Sequence, residues 1–388
     1  MQITSPEFLV QFKNLLQTEL FPLLESSVGP LSKQSQLLAA VLSLQPLSGF
    51  VPSRRFHTGR RPSNRLPLAT AFFAKAIYNL PTTRHLIQRL QTDSQLRRLC
   101  GWDTAAQVPG EATFSRAFAE FAATGLPTQI HEALVRHTQQ DRVIAYIARD
   151  STAISARQCP PEERKKAVTA KRPVHPPYKT ATGWHRRGQR GKKKHQQKRV
   201  IAKQRGPRLH RQQHMNLPEM LADLPQECSV GAKKNSQGHP QYWRGFKLHW
   251  DVATGRIPIS CVLTGAGVHD SQVAIPLMQM STERVRWKCD LMDSAYDAKA
   301  IRAHIQKLGH EALIPPNAAH ACSVRENTFS EEQKQRFKKR TIVEQLNGRL
   351  KDEFGARTIY VKGASKIMAH LMFGVVALTV DQLLRLVT

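Results

Sequence analysis

Between Arg157 and His214, 58 residues hold 19 Lys and Arg against two acids, Glu162 and Glu163, and almost no apolar side chains. Such a tract cannot bury enough surface to offset its ordering entropy, so any fold must be assembled around it. The flanks differ in pattern. Residues 1–140 read as a helical N-terminal domain, suited to DNA binding or dimerisation. Residues 141–388 read as α/β, with 157–240 a flexible basic insert between the first and second strands.

The tract carries +17 of a net charge of +29, and the pI is near 10.4. An excess of this size, concentrated in one place, points to a polyanion, and to nucleic acid before a membrane surface. Lys192, Lys193 and Lys194 sit at its centre as expected phosphate contacts. Cysteines at 100, 159, 228, 261, 289 and 322 form no C-x-x-C pair. That excludes a zinc finger or a disulfide framework and favours a reducing compartment, here a cytoplasmic, nucleoid-associated one. The N-terminus lacks the pattern of a secretory signal. Leu371 to Val380 is strongly apolar but too short to span a bilayer, so it is expected to be a buried helix.

Helical spacing is expected over 69–78, 85–100 and 113–137. Arg84, Arg89, Arg97 and Arg98 alternate with Leu86, Leu90 and Leu96, which gives the middle stretch a basic face. Beyond 141, Val143 to Ala148 is strand-like. Phe246 to Val252 and Ile257 to Leu263 form a hairpin around Gly255. A helix over 271–280, a strand over 285–292, a helix over 297–308 and a short strand over 311–314 follow. Ser330 and Gln333 then have the spacing of a capping box that starts one long helix.

That helix carries Arg340, Glu344 and Lys351, and steps of four and seven residues place them on one face. A carboxylate between two cations suits a site that holds metal ions and phosphate together. Asp150 and Asp293 each end an apolar strand-like run, where ligands commonly bind in α/β sheets. Three acids from three elements are what two-metal phosphoryl transfer requires. Asp150 is expected to bridge two Mg²⁺ or Mn²⁺ ions, Asp293 and Glu344 to hold one each, and Arg340 and Lys351 to neutralise phosphate. His269 and Asp297 are candidates for an outer layer, although helix capping by Asp270 and Asp297 explains the same residues. Asp251, before Ala253-Thr254-Gly255-Arg256, reads as turn chemistry. No nucleophile-elbow or phosphate-loop motif occurs, so serine hydrolase and P-loop chemistry are unsupported.

The spacing resembles the Y-x2-R-x3-E-x6-K signature of bacterial insertion-sequence DDE transposases, with Phe337 in place of the tyrosine. Arg149-Asp150-Ser151-Thr152, Trp243 to His249, Val268 to Gln272 and Leu291 to Asp297 are similar to segments of the same group. Val108-Pro109 with Thr113 to Arg116 resembles its helical N-terminal region. The resemblance implies a ribonuclease H-like catalytic fold, a divalent-metal cofactor and transposition of an element with inverted terminal repeats. It also implies a homodimer on double-stranded DNA, acting on the terminal repeats and on target DNA. Two rivals share the scaffold: a catalytically silent DNA-binding protein and a structure-specific nuclease.

Deleting the basic tract is expected to weaken DNA binding on all sequences and to flatten its salt dependence. An unchanged slope of log Kd against log salt would show that the tract does not touch phosphate.

Overall fold

Local capping sets the ends of the N-terminal helices. The computed structural model describes residues 5–44, 46–51, 63–139, 142–161, 207–234, 237–317 and 329–387. Lys192, Lys193 and Lys194 lie outside the described residues, as does all of 162–206. The first segment contains α1 (Ser5–Leu15), a π-helical turn (Leu16–Leu20), α2 (Phe21–Val28), α3 (Lys33–Leu44), α4 (Arg65–Ile77), α5 (Thr83–Thr92), α6 (Ser94–Leu99), α7 (Glu111–Thr124) and α8 (Leu126–Gln139). Asn64, Thr82 and Asp93 each accept a hydrogen bond from a first-turn amide of the helix they precede. Two expected helices are therefore four. Asp93 ends α5 and caps α6, and Gly125, left-handed at φ 67°, separates α7 from α8. The arginines of the expected basic face are partly committed to the fold. Arg97 donates to the Leu90 and Gln91 carbonyls, Arg98 to the Ser27 carbonyl, and Arg89 pairs with Asp93.

The rest contains β1 (Val143–Ser155), α9 (Arg208–Gln212), α10 (Leu217–Asp223), β2 (Ser229–Lys234), β3 (Pro240–Ala253), β4 (Ile257–Gly265), α11 (Ser271–Thr282), β5 (Arg286–Leu291), a 3₁₀ turn (Ser294–Tyr296), α12 (Lys299–Lys307), β6 (Glu311–Leu313), α13 (Glu331–Lys338), α14 (Thr341–Asp352) and α15 (Ala364–Leu386). Of the expected insert, residues 207–234 and 237–240 are among the described residues and are folded. Arg208 and Arg211 both pair with Asp223, at 2.8 and 2.7 Å, which ties α9 to α10. β2 then pairs antiparallel with the start of β3. The acid that neutralises the two arginines lies beyond the basic window, so a charge count over that window misses it.

One mixed sheet organises this half. β1 is central, antiparallel to β3 on one side and parallel to β5 on the other. β6 extends the β5 edge, and β4 and β2 both pair with β3. The three-residue β3–β4 turn, Thr254 to Arg256, has positive φ at Gly255 (85°) and Arg256 (64°), and glycine takes up this left-handed backbone without strain. Alternation along β1 sorts its side chains. Arg149 and its cross-strand partner Asp251 face α11, where Ser281 donates to Asp251 at 2.7 Å. Asp150 and its partner Trp250 face the other way, and the Trp250 indole donates to Asn347 of α14 at 3.0 Å. Helices cover both faces.

α15 is longer than the expected 371–380 helix, and its length and composition would allow it to cross a membrane. In the fold it packs among α3, α4, α7, α8 and β4 instead. Phe373 lies against Phe72 and Phe73, with ring centroids 5.7 and 4.8 Å apart. At Gly374 a Cβ would come within 2.6 Å of the Phe354 carbonyl, so only glycine permits this approach. One apolar cluster runs without a break from Leu9 to Leu383. The division at residue 140 thus marks a change of secondary structure and not a gap in packing.

Asp251 is not turn chemistry. It is fully buried, and with equally buried Asp290 it brackets Arg149, which donates to the two acids at 2.7 and 3.2 Å. Truncating the cation leaves two buried acids uncompensated, so Arg149→Ala is expected to lower the urea unfolding free energy by about 3–5 kcal/mol. A loss below about 1 kcal/mol would show that this fork does not hold the strands together.

Candidate active site

Strand register brings the first two acids side by side. β1 and β5 run parallel with Ala148 opposite Leu291, so two residues further on Asp293 is level with Asp150. Adjacent strands are about 5 Å apart, within reach of two short carboxylates. Asp150 lies inside β1 and not past its end, because Ser151 to Ser155 continue the ladder against His249 to Gly245. Asp293 does follow its strand. It caps the 3₁₀ turn, accepting from the Ala295 amide at 2.9 Å, so the capping role and the site role fall on one residue.

Arg340 links these acids to the third. The expected single helix is α13 and α14 with a break at Lys339 and Arg340, and the Ser330–Gln333 capping box is present at its start. From the first residue before α14, the Arg340 guanidinium donates to Glu344 at 2.6 Å and stands 4.0 Å from Asp150. The Asp150 side chain is 18% exposed, whereas that of Glu344 is 53% exposed.

The electrostatics are those of crowded acids. Burial pushes the Asp150 carboxyl up to about 7; the Ser151 amide and Arg340 oppose this, while Asp293 and Asp270 add to it. Burial likewise raises Asp293, against the Ala295 amide and Arg340. Oxygen donors with unbalanced negative charge fit a hard divalent cation such as Mg²⁺ or Mn²⁺, with Asp150 and Asp293 as the residues to hold it. The triad is not closed, however. Among the described residues no three acidic, imidazole or thiol side chains stand at metal-binding separation, and Glu344 is turned to Arg340.

The other expected site residues separate into two groups. His269 bonds to the Ser271 hydroxyl at 2.8 Å and is close enough for its charge to act on Asp293. Lys351 lies two turns, or about 10 Å, beyond Glu344 on α14. Burial lowers its pKa first, and then Lys233 of β2 and Arg357 do, against Asp352; neither Asp150, Asp293 nor Glu344 is among the charges that act on it. Asp297 accepts from Arg302 and from the Asn317 amide, at 2.8 and 2.9 Å, and anchors the chain after β6. Phe337 packs on Phe329 with ring centroids 5.5 Å apart.

Residues 148–380 match the family described as Transposase DDE domain, and residues 24–120 match Transposase domain (DUF772). The chain belongs to the DDE transposase domain family. The first match covers more than half of the chain and contains Asp150, Asp293 and Glu344; the second runs from within α2 through most of α7. No curated protein and no solved structure matches the chain. Membership supports a transposase acting on DNA, an enzyme of the nuclease or transferase kind. Divalent metals are typical of the family.

Several polar residues around the transposase acids have no part in the three-acid spacing, although all but Asp251 lie in segments that resemble the family. Arg149 and Ser151 on β1, with Lys247, His249 and Asp251 on β3, all project to the α11 face. Asp270 does not cap α11. It accepts instead from Ser151 and Lys247, both at 2.9 Å. The signal was present in the sequence as a polar stripe of period two within strands otherwise apolar on both faces.

The Asp150 shift has a definite pH consequence. Its folded pKa lies above 3.8, so the folded transposase retains a proton that the unfolded chain has released, and stability falls as pH rises from about 4 through about 7. Without divalent metal, Asp150→Asn is expected to match wild type near pH 4 and to exceed it by roughly 2–4 kcal/mol near pH 8. Parallel denaturation curves of the two proteins at both pH values would contradict this.

Proposed function

We propose that the chain is an insertion-sequence transposase that cleaves DNA at the ends of its element and transfers the freed strand. The observation that carries this reading is the single guanidinium of Arg340 in reach of both Asp150 and Glu344, with Asp293 level beside Asp150. Two Mg²⁺ or Mn²⁺ ions, when bound, supply a reactive oxygen nucleophile at neutral pH and stabilise the departing oxygen. Asp150, Asp293 and Glu344 are the residues proposed to hold them. Glu344 leaves Arg340 to do so, a contact worth only about 0.3–0.5 kcal/mol at an exposed helix position. Arg340 then presents a free planar fork to a phosphate, the geometry guanidinium groups favour.

Lys351 on α14, exposed Lys233 on β2 and Arg357 beyond α14 carry charges that act on one another, and Lys351 and Lys233 are proposed to neutralise the DNA backbone. The central β1 flanked by one antiparallel and one parallel neighbour, with helices on both faces, supports a ribonuclease H-like architecture. A homodimer on DNA, a role for the N-terminal helices in binding or dimerisation, and a cytoplasmic, nucleoid-associated location complete the proposal.

The closed Arg340–Glu344 pair favours one second reading, a DNA-binding protein that does not cut. Incubating the protein with Mg²⁺ and a plasmid carrying the DNA that flanks its gene separates the readings. Wild type is expected to nick and join ends, and Glu344→Gln to lose cleavage by at least about a thousandfold while binding within about twofold, as expected of a transition-state contact. Binding without nicking by wild type would select the silent protein, and nicking without joining the structure-specific nuclease.

A further inference from the structure

Asp270 stands at the N-cap position of α11 yet makes no side-chain capping bond. Its Oδ1 instead accepts from the Ser151 hydroxyl and from the Lys247 ammonium, each at 2.9 Å, and lies 3.7 Å from Nδ1 of His249. Lys247 is itself fixed by a second bond, to the Val268 carbonyl at 3.0 Å. His249 is fully buried, and its Nε2 bonds to Thr264 at 2.9 Å. Ser151 follows Asp150 directly in β1, and its hydroxyl, on the opposite face of the strand, is held by Asp270. A chain of contacts thus runs from Lys247 through Asp270 and Ser151 to Asp150.

A second observation points into the same place. The Tyr296 side chain is 1% exposed and packed among Met278, Met292 and Ile301, yet its hydroxyl has no hydrogen-bond partner among the described residues. The charges acting on that hydroxyl belong to Asp270, Asp150, Asp293 and Arg149. A buried hydroxyl without a partner is costly, and phenylalanine would pack there as well. His249 Nδ1 is likewise buried without a hydrogen-bond partner beside Asp270.

We propose that Asp270 and Tyr296 are positioning residues of the cation site: Asp270 orients Asp150 through Ser151 and contributes a fourth negative charge, and the Tyr296 hydroxyl donates to the acids once a cation orders them. This rests on the reading of Asp150 and Asp293 as cation ligands. The partners that orient metal ligands from behind commonly set affinity by ten- to a hundredfold.

Mn²⁺ binding to the full-length protein, followed by electron paramagnetic resonance of the free ion, tests this without any DNA reaction. Wild type is expected to bind Mn²⁺ and Asp150→Asn to lose binding. Asp270→Asn is expected to bind roughly tenfold or more weakly. Tyr296→Phe is expected to bind several-fold more weakly while melting at the same temperature as wild type or higher, which a purely structural role for the hydroxyl would not produce. Should Asp270→Asn fail to fold, Ser151→Ala breaks the same contact without removing a charge, and it too is expected to weaken binding. Weakening in Asp150→Asn alone, with the other variants equal to wild type, overturns this inference and leaves the proposed function standing. Wild type that binds no Mn²⁺ overturns both.

Discussion

The site depends on where one guanidinium is held. Arg149 sits on the central strand with Asp251 on one neighbour and Asp290 on the other, so a single side chain spans three strands. Both acids are fully buried and further bonded, Asp251 to Ser281 and Asp290 to the Trp287 indole and His310. A buried ion pair adds little net stability compared with a well-packed apolar replacement, but it is intolerant of misalignment. Its effect is to fix register and facing. Because successive residues of a strand point to opposite faces, fixing Arg149 toward α11 commits Asp150 to the α14 face.

How far this was legible in the sequence depends on the range of each signal. Helix starts at Ser330 and the hairpin turn at Gly255 were readable because capping and turn geometry are set within a few residues. The strand and helix positions of Asp150, Asp293 and Glu344 were readable from the apolar runs and helical spacing around them, and their role in the site remains the proposal made above. Three features were not readable, each for want of a distant partner. Asp251 resembles a turn residue until Arg149 is placed opposite it. Asp270 resembles a cap until Lys247 and Ser151 take up its oxygen. Arg208 and Arg211 resemble solvated charge until Asp223 neutralises them.

The break between α13 and α14 also has a function-related consequence. A continuous helix would have carried Arg340 as one more surface charge, paired with Glu344 at ordinary helical spacing. At the junction, its guanidinium reaches across to β1 while still holding Glu344. The same cation therefore stands beside Asp150 while it occupies the Glu344 carboxylate. Anything that draws Arg340 off, such as a phosphate, frees Glu344 at little cost.

The seating of α15 among α3, α4, α7 and α8 bears on how the chain is made. About 225 residues separate the end of α8 from the start of α15, roughly 10–45 s of translation at about 5–20 residues per second. Throughout that interval the nascent amino-terminal helices lack the apolar rod that fills the space between them. They leave the ribosome with Phe72, Phe73 and Phe118 uncovered, open to chaperones and to self-association until their carboxy-terminal complement emerges.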